Sequence, residues 1–349
     1  MIRECIPVLL DNQDLTSDEA RSAMREIMSG EATPAQVAAF LVALKKKRET
    51  VEEVTALAET MREFSRRIRP RVEGCLLDTC GTGGDRTKTF NVSTTCAFVI
   101  AGAGVSVAKH GNRSFTSQCG SADVLERLGL NLNMSPEIVE QSIEQLGIGF
   151  MFAPNFHPAM KNVSTIRREV GVRTVFNILG PLTNPAGANT QLIGVYDQNL
   201  LKPMCQAAHN LGADAVMTVF GLDGTDEISI SNKTILARTQ NGNIVEEEIE
   251  PEDFGIKRAA SSEVAGSGID DNARITAMIL SGTLKSSDPR LQIVLANAAA
   301  ALSLCGRVKG LRDGMELAAK SVADKAAYRK LHDLITLSGG NVEFLESLT

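Results

Sequence analysis

The sequence has no excess of basic charge: 36 lysines and arginines stand against 42 aspartates and glutamates, for a formal charge of −6. That excludes a broad cationic surface for nucleic acid or an anionic membrane, so any phosphate recognition has to be local. No run approaches the roughly 18 apolar residues of a membrane-spanning helix, and the N-terminal MIRECIPVLL lacks the basic region, apolar core and cleavage site of a secretory signal. The expectation is a soluble, cytoplasmic protein. The seven cysteines, Cys5, Cys75, Cys80, Cys96, Cys119, Cys205 and Cys305, are scattered, odd in number and without a C-x-x-C pair. They read as reduced thiols, which argues against a disulfide framework or a structural zinc. No internal repeat or low-complexity tract occurs, and both the G-x-G-x-x-G fingerprint and the Lys-Ser/Thr of a P-loop are missing.

What is present has the balance of a globular protein, with 43% hydrophobic and 22% charged residues. A chain of 349 residues is too long for one small core and suits a large domain with a smaller one. Three helix starts in the first 70 residues carry capping-box spacing: Thr16 with Glu19, Thr33 with Gln36 and Thr50 with Glu53. Pro34 suits a first helical position, Gly30 a helix end, and Val37, Phe40, Leu41 and Leu44 share one face. A compact helical domain over residues 1–71 is expected, with the run RRIRPR as its solvated exit.

From residue 72 short apolar strands alternate with helices. Strands are expected at Gly74–Asp78, Gly104–Ala108, Ile148–Phe152, Leu192–Tyr196 and Ala215–Phe220, with helices such as Thr94–Ala103, Ser121–Leu128, Pro136–Leu146 and Leu200–Leu211 between them. The alternation predicts an α/β domain over 72–349, a mostly parallel sheet flanked by helices, whose ligands bind beyond the carboxyl ends of the strands. Residues 157–187 break the pattern with a helix and then an extended stretch, NILGPLTNP. Residues 227–249 look like antiparallel strands, and LANAAAALSLCG suggests a buried helix.

Several loops then fall at the predicted ligand edge. DTCGTGGD, with Gly81, Gly83 and Gly84, reads as either a phosphate-binding nest or an ordinary tight turn. Asn91, Val92, Ser93 and Thr94 run into a helix start, where free N–H groups favour an anion or a side chain merely caps the helix. Lys109, His110, Gly111, Asn112, Arg113 and Ser114 place two permanent cations around a glycine, and hydroxyls continue to Ser117, which suits a phosphate clamp. Asp226 and Glu227 form a carboxylate pair suited to Mg²⁺, which takes one or two carboxylates and completes its shell with waters and substrate phosphates. His157, Arg167, Arg168 and Arg173 lie on or beside one helix, where an arginine can hold a carboxylate.

Taken together, GTGGD at 81–85, NVST at 91–94, KHGNR at 109–113, GSADVLE at 120–126, FHPAMKNV at 156–163, RTVFNILGPLTNP at 173–185 and DEIS at 226–229 resemble the anthranilate phosphoribosyltransferase family. The resemblance runs to about residue 340. It implies a fold of the nucleoside phosphorylase and phosphoribosyltransferase type, with part of 160–187 joining the helical domain, and a homodimer formed through that domain. It also implies transfer of phosphoribose from 5-phosphoribosyl-1-pyrophosphate to the amine of anthranilate in tryptophan biosynthesis. By the resemblance, Gly81, Gly84, Asp85, Thr89, Asn91, Val92, Ser93 and Thr94 meet the phosphoribosyl pyrophosphate. So do the loop from Lys109 through Phe115, Thr116 and Ser117, and Ser121. Ser93, Asp226 and Glu227 hold Mg²⁺; Gly81, Asn112 and Arg167 meet anthranilate, and His110, His157 and Pro181 shape its path. No dedicated nucleophile is expected, Asp78 is expected to end its strand and fix the turn, and Cys119 beside the phosphate loop suggests sensitivity to thiol reagents. Phe156 and Thr225 depart from the family's commoner tyrosine and leucine. A family member acting on another amine acceptor or on nucleic acid and a non-catalytic phosphate-binding module are rival readings, and a pyrimidine nucleoside phosphorylase is the first rival. Its phosphate loop carries Lys-x-Ser-x-x-x-Lys, whereas this chain has KHGNR and an acidic pair.

Overall fold

The computed structural model of the chain describes residues 1–84, 87, 89–114 and 119–348. It begins with four helices, α1 (Ile2–Leu10), α2 (Ser17–Ser29), α3 (Pro34–Lys47) and α4 (Val51–Glu63). The helices α2, α3 and α4 start at complete capping boxes on Thr16, Thr33 and Thr50. Gly30 ends α2 in the left-handed conformation, where a Cβ would be strained. At α4 the box does more than close a helix. The Glu53 carboxylate is buried and accepts the Leu15 N–H (2.9 Å), the Thr50 N–H (2.8 Å) and the ammonium of buried Lys47 (2.8 Å). A carboxylate is tolerated there because each partner replaces a lost water contact.

The exit RRIRPR is not simply solvated. Ile68 is buried, the Arg66 and Ile68 N–H groups donate to Phe156 and Pro185 carbonyls, and the Arg69 and Arg71 N–H groups donate to Glu140 and Glu144. The connection is therefore docked through its main chain, while its arginine side chains stay exposed.

A single sheet follows, in the order β3-β2-β1-β4-β5-β6-β7. The strands β1 (Leu76–Gly81), β2 (Ser106–Gly111), β3 (Ile148–Phe152), β4 (Thr190–Gly194) and β5 (Ala215–Gly221) pair in parallel, whereas β6 (Thr234–Gln240) and β7 (Asn243–Ile249) continue antiparallel. The intervening helices are α5 (Val92–Gly102), α6 (Ser121–Arg127), α7 (Pro136–Leu146), α8 (Ala153–Phe156), α9 (Lys161–Val170), α10 (Phe176–Leu179) and α11 (Leu201–Asn210). The chain closes with α12 (Ile269–Leu280), α13 (Pro289–Leu304), α14 (Leu311–Ala323), α15 (Ala326–Leu337) and α16 (Glu343–Ser347).

Side chains alternate across the sheet and serve two cores. Leu192, Met217, Val219 and Leu236 face a core shared with α5, α7 and the C-terminal helices. Ile193, Val195, Val216 and Ala237 face the other, which runs without a break into α11, the turns around Phe176 and Leu182, and α1 to α4. The core of the N-terminal helices is thus continuous with one face of the sheet.

Three expectations are corrected here. β1 continues past Asp78 to Gly81, and β2 past Ala108 to Gly111, because their neighbours pair with them that far: Gly81 lies opposite Gly194 and Gly111 opposite Phe152. Glycine, a weak strand former, masks this in the sequence. NILGPLTNP is not extended; it begins within the helical turn Phe176–Leu179 and continues into the 3₁₀ turn Gly180–Leu182. Finally, Cys75 and Cys305, expected as reduced thiols, are joined as a disulfide with Cα atoms 5.8 Å apart. Their separation of 230 positions hides the meeting of the β1 entrance with the end of α13.

Replacing Glu53 with alanine leaves a buried N–H and a buried ammonium short of a partner. We expect Glu53→Ala to lower the unfolding free energy by about 3 kcal/mol, measured by urea denaturation at pH 7; a loss near that of an exposed pair, below about 1 kcal/mol, would contradict this account.

Candidate functional site

The carboxyl ends of β1 and β2, the loop after β5, the N-terminus of α5 and the segment from α8 to α10 enclose a cleft of about 890 Å³. The described residues expected to meet substrate or metal all line it: Gly81, Gly84, Thr89, Asn91 to Thr94, Lys109 to Ser114, Ser121, His157, Arg167, Pro181, Asp226 and Glu227. Asp85, Phe115, Thr116 and Ser117 lie outside the described residues. Arg168 is exposed and is not part of the lining.

On the β1 side the main chain approaches unusually closely. A Cβ on Gly194 would overlap the Asp226 main chain, and one on Gly81 would lie 2.7 Å from the Asp226 carboxylate. Only glycine fits at these two facing positions. Gly83 and Gly84 take positive φ, +67° and +79°, which turns the Gly83 N–H onto Asp226 Oδ2 (3.1 Å). Arg173 closes over this turn, donating to the Gly84 carbonyl (2.6 Å) and stacking 4.3 Å from the Tyr196 ring.

α5 has no side-chain cap of its own. Asn91, one of the candidate caps with Ser93 and Thr94, instead donates to the Cys119 carbonyl (3.3 Å) and accepts from Asn272 Nδ2 (2.9 Å). The α5 N-terminus is served from across the cleft, where Glu227 Oε1 accepts the Ser93 N–H at 3.1 Å. Asp226 and Glu227 therefore each accept a main-chain N–H of a segment expected to meet phosphate. Among the described residues no three or more His, Cys, Asp or Glu side chains cluster in a metal-binding group. A cation held here needs substrate oxygens and waters beyond these two carboxylates and the Ser93 hydroxyl, an all-oxygen shell that fits Mg²⁺.

Neither cation expected to clamp phosphate stands alone. Lys109 is buried, and its ammonium donates to the Thr79 carbonyl beneath the cleft, beside Asp78. Arg113 makes a two-pronged bond to Glu126 (2.6 and 2.7 Å) and a third to Asp123 (3.0 Å). Asp123 in turn accepts the N–H groups of Ser114 (3.0 Å) and Gly120 (2.9 Å), so one carboxylate holds both ends of that loop. Burial opposes its ionisation, but those donors and Arg113 outweigh burial and hold its carboxyl below the ordinary value.

Asp78 lies inside β1 and does not end it. Its buried carboxylate accepts the His110 N–H (3.3 Å) and Asn184 Nδ2 (2.8 Å), and Asn184 also donates to the Ala108 carbonyl (2.8 Å). Burial raises its pKa despite the neighbouring Lys109. This frame places His110 against His157, ring centres 5.0 Å apart. Burial pushes His110 well below its usual value and His157 down to about 4, so both imidazoles are neutral at pH 7. Arg167 lies 5.4 Å over the Phe176 ring, with Pro181 nearby held through its carbonyl by Gln191 (2.8 Å). Burial lowers the Arg167 pKa. Cys119 is buried and its thiol is pushed up to about 11, so at neutral pH it is protonated and a poor target for thiol reagents, contrary to expectation.

Sequence reasoning missed several lining residues: Met61, Phe90, Met160, Phe176, Asn177 and Asn272. The apolar ones carry no signal beyond that of core residues. Asn272 comes from a distant helix and is recognisable only through its bond to Asn91.

The His157 shift has a consequence for pH. A histidine whose folded pKa is depressed from 6.5 to about 4 favours folding above pH 6.5, and that contribution is lost as pH falls toward 4. We expect about 2–3 kcal/mol of stability to disappear over this window in the wild type, and visibly less in His157→Gln, by urea denaturation at pH 7 and 4.5. Parallel pH profiles for the two proteins would contradict the assignment.

This arrangement has close counterparts among known proteins. Residues 73–328 match the glycosyl transferase family a/b domain, and residues 3–65 match its helical bundle domain. The anthranilate phosphoribosyltransferase of Symbiobacterium thermophilum is 52% identical over 324 residues, covering 92% of this chain and 93% of that protein. The crystal structure of anthranilate phosphoribosyltransferase from Thermus thermophilus superposes with a TM-score of 0.89 at 40% identity, covering 96% of this chain and 99% of the other. The Saccharomyces cerevisiae enzyme in complex with PRPP and Mg superposes with a TM-score of 0.89 at 28% identity, over 97% and 98% of the two chains. With matched domains along most of its length and relatives aligned nearly end to end, the chain belongs to the anthranilate phosphoribosyltransferases of the glycosyl transferase family.

Proposed function

We infer that the chain transfers the 5-phosphoribosyl group from 5-phosphoribosyl-1-pyrophosphate to the amine of anthranilate, releasing pyrophosphate, as a Mg²⁺-dependent pentosyltransferase of tryptophan biosynthesis. The observation that carries this reading is the two-sided cleft. One wall offers glycine main chain, the N-terminus of α5 and an acidic pair; the other offers Arg167, Phe176 and two neutral histidines.

On the first wall, main-chain N–H groups at Gly83 and Ser93, with the hydroxyls of Ser93, Thr94 and Ser121, suit phosphate oxygens. Asp226, Glu227 and Ser93 would hold the magnesium, which when bound supplies positive charge to the departing pyrophosphate. On the second wall, Arg167 supplies a guanidinium for the anthranilate carboxylate, Asn112 adds polar contacts, and His110, His157 and Pro181 bound its path. An aromatic amine is neutral and nucleophilic at pH 7, so the protein needs no general base to activate it. Holding the amine against the ribose C1 as the bond to pyrophosphate breaks supplies much of the acceleration. Lys109 and Arg113, already paired, act as fixed parts of the frame around the loop.

We also propose a cytoplasmic homodimer joined through the helical domain over 1–71. Its support is the exposure of Leu10 and Val42 on α1 and α3, 53% and 47%.

The test is anthranilate consumption, followed by fluorescence with phosphoribosyl pyrophosphate and Mg²⁺, beside a phosphorolysis control with thymidine and uridine. Anthranilate turnover without phosphorolysis is expected; the opposite pattern would reverse the reading. In the same assay Arg167→Ala is expected to raise the anthranilate KM about tenfold or more, the equivalent of losing one charge-assisted partner, while the KM for phosphoribosyl pyrophosphate stays near wild type. An unchanged anthranilate KM would remove Arg167 from the acceptor site.

A further inference from the structure

Helix α13 is buried along most of its length, and its middle is a run of small apolar residues from Ala296 to Ala301 broken by Asn297, which is 0% exposed. An amide in such surroundings is costly unless both of its ends are bonded. Here both are. Oδ1 accepts the Ile228 N–H at 2.9 Å, and Nδ2 donates to the Ile228 carbonyl at 3.2 Å and to the Ile293 carbonyl at 2.9 Å. Two of the three bonds grip the main chain of one residue, and that residue directly follows Asp226 and Glu227.

The preceding flank of the acidic pair is tied locally. Asp223 accepts the Thr225 N–H (3.3 Å), the Ser229 hydroxyl (2.7 Å) and the Ser231 hydroxyl, and the Gly221 N–H donates to the Thr225 carbonyl (2.9 Å). These bonds shape the loop but do not say where it sits relative to α5. Asn297 does, because α13 packs against α5, whose Ser93 N–H is accepted by Glu227. Beside the contact of Asp226 with the ends of β1 and β4, helix-helix packing is therefore relayed to the far side of the acidic pair through the Asn297 amide. An apolar residue at 297 would suit the rest of α13 as well or better. Its amide is needed by Ile228.

We propose that Asn297 is a positioning residue for the acidic pair: it fixes the main chain at Ile228 so that Asp226 and Glu227 meet the metal and diphosphate at the mouth of α5. The proposal rests on reading that pair as metal ligands.

The test compares Asn297→Leu with Leu302→Ala, which opens a cavity beside the same buried helix and removes no hydrogen bond to Ile228, and with the double variant Asp226→Asn, Glu227→Gln. The readouts are Mn²⁺ affinity by electron paramagnetic resonance in the presence of pyrophosphate, the anthranilate KM, and urea denaturation. Asn297→Leu is expected to weaken Mn²⁺ binding about tenfold, the size of effect seen when a residue that supports metal ligands is lost, with the anthranilate KM within about twofold of wild type. Leu302→Ala is expected to lose stability yet keep its Mn²⁺ affinity. Asn297→Ala, which removes the amide without adding bulk, is expected to act in the same direction and serves where Asn297→Leu does not fold. Mn²⁺ affinity lost in the double variant but unchanged in both Asn297 variants overturns the positioning role alone. Affinity unchanged in all of them overturns the metal assignment and the proposal together.

Discussion

The architecture of the cleft depends on how closely the loop bearing Asp226 lies against the ends of β1 and β4. Gly81 and Gly194 face each other in the sheet, and neither has room for a Cβ because the Asp226 carboxylate and main chain fill that space. From that contact the rest follows in order. The carboxylate reaches the Gly83 N–H, the turn at Gly83 and Gly84 takes its left-handed form, and Glu227 is carried across to the Ser93 N–H. A parallel sheet ordinarily leaves its carboxyl ends open to a ligand; here two glycines let a neighbouring loop share that edge.

Beneath the cleft lies a second constraint, the burial of Asp78 and Lys109 as neighbours. The pair is expensive to hold in a protein interior and is offset by hydrogen bonds from the His110 N–H and Asn184 and by the Thr79 carbonyl. Those bonds join β1, β2 and the turns after α10 into one block, so the wall that carries the neutral histidines and the wall that carries the glycine turn share a common floor. Asp123 does the same at the rim, gathering Ser114, Gly120 and Arg113.

Much of this was legible in the sequence where a residue's chemistry is local. The capping boxes at Thr16, Thr33 and Thr50 depend on residues three apart, and all three formed. The alternating strands and helices followed from apolar periodicity, and the motif loops lie on one cleft. What escaped was set by partners far apart in the chain. β1 and β2 are longer than their apolar runs because neighbouring strands pair with Gly81 and Gly111. Arg113 looked like a free cation until Asp123 and Glu126 were brought against it. Cys75 and Cys305 looked like unrelated thiols, and nothing in the buried helix LANAAAALSLCG pointed to the bond between Asn297 and Ile228.

One further consequence follows from the carboxylates at Gly83 and Ser93. The donors suited to an anion are already engaged by anions belonging to the protein. A bare phosphate arriving at the cleft has to trade places with Asp226 or Glu227 for the same N–H groups and meets their negative charge as it does so. The exchange conserves hydrogen bonds and adds repulsion, so simple anions gain little by entering. A diphosphate that arrives with a divalent cation gives the carboxylates a better partner as it takes their donors. On the proposed assignment of the site, the two carboxylates would thus favour a metal-bound diphosphate over bare phosphate.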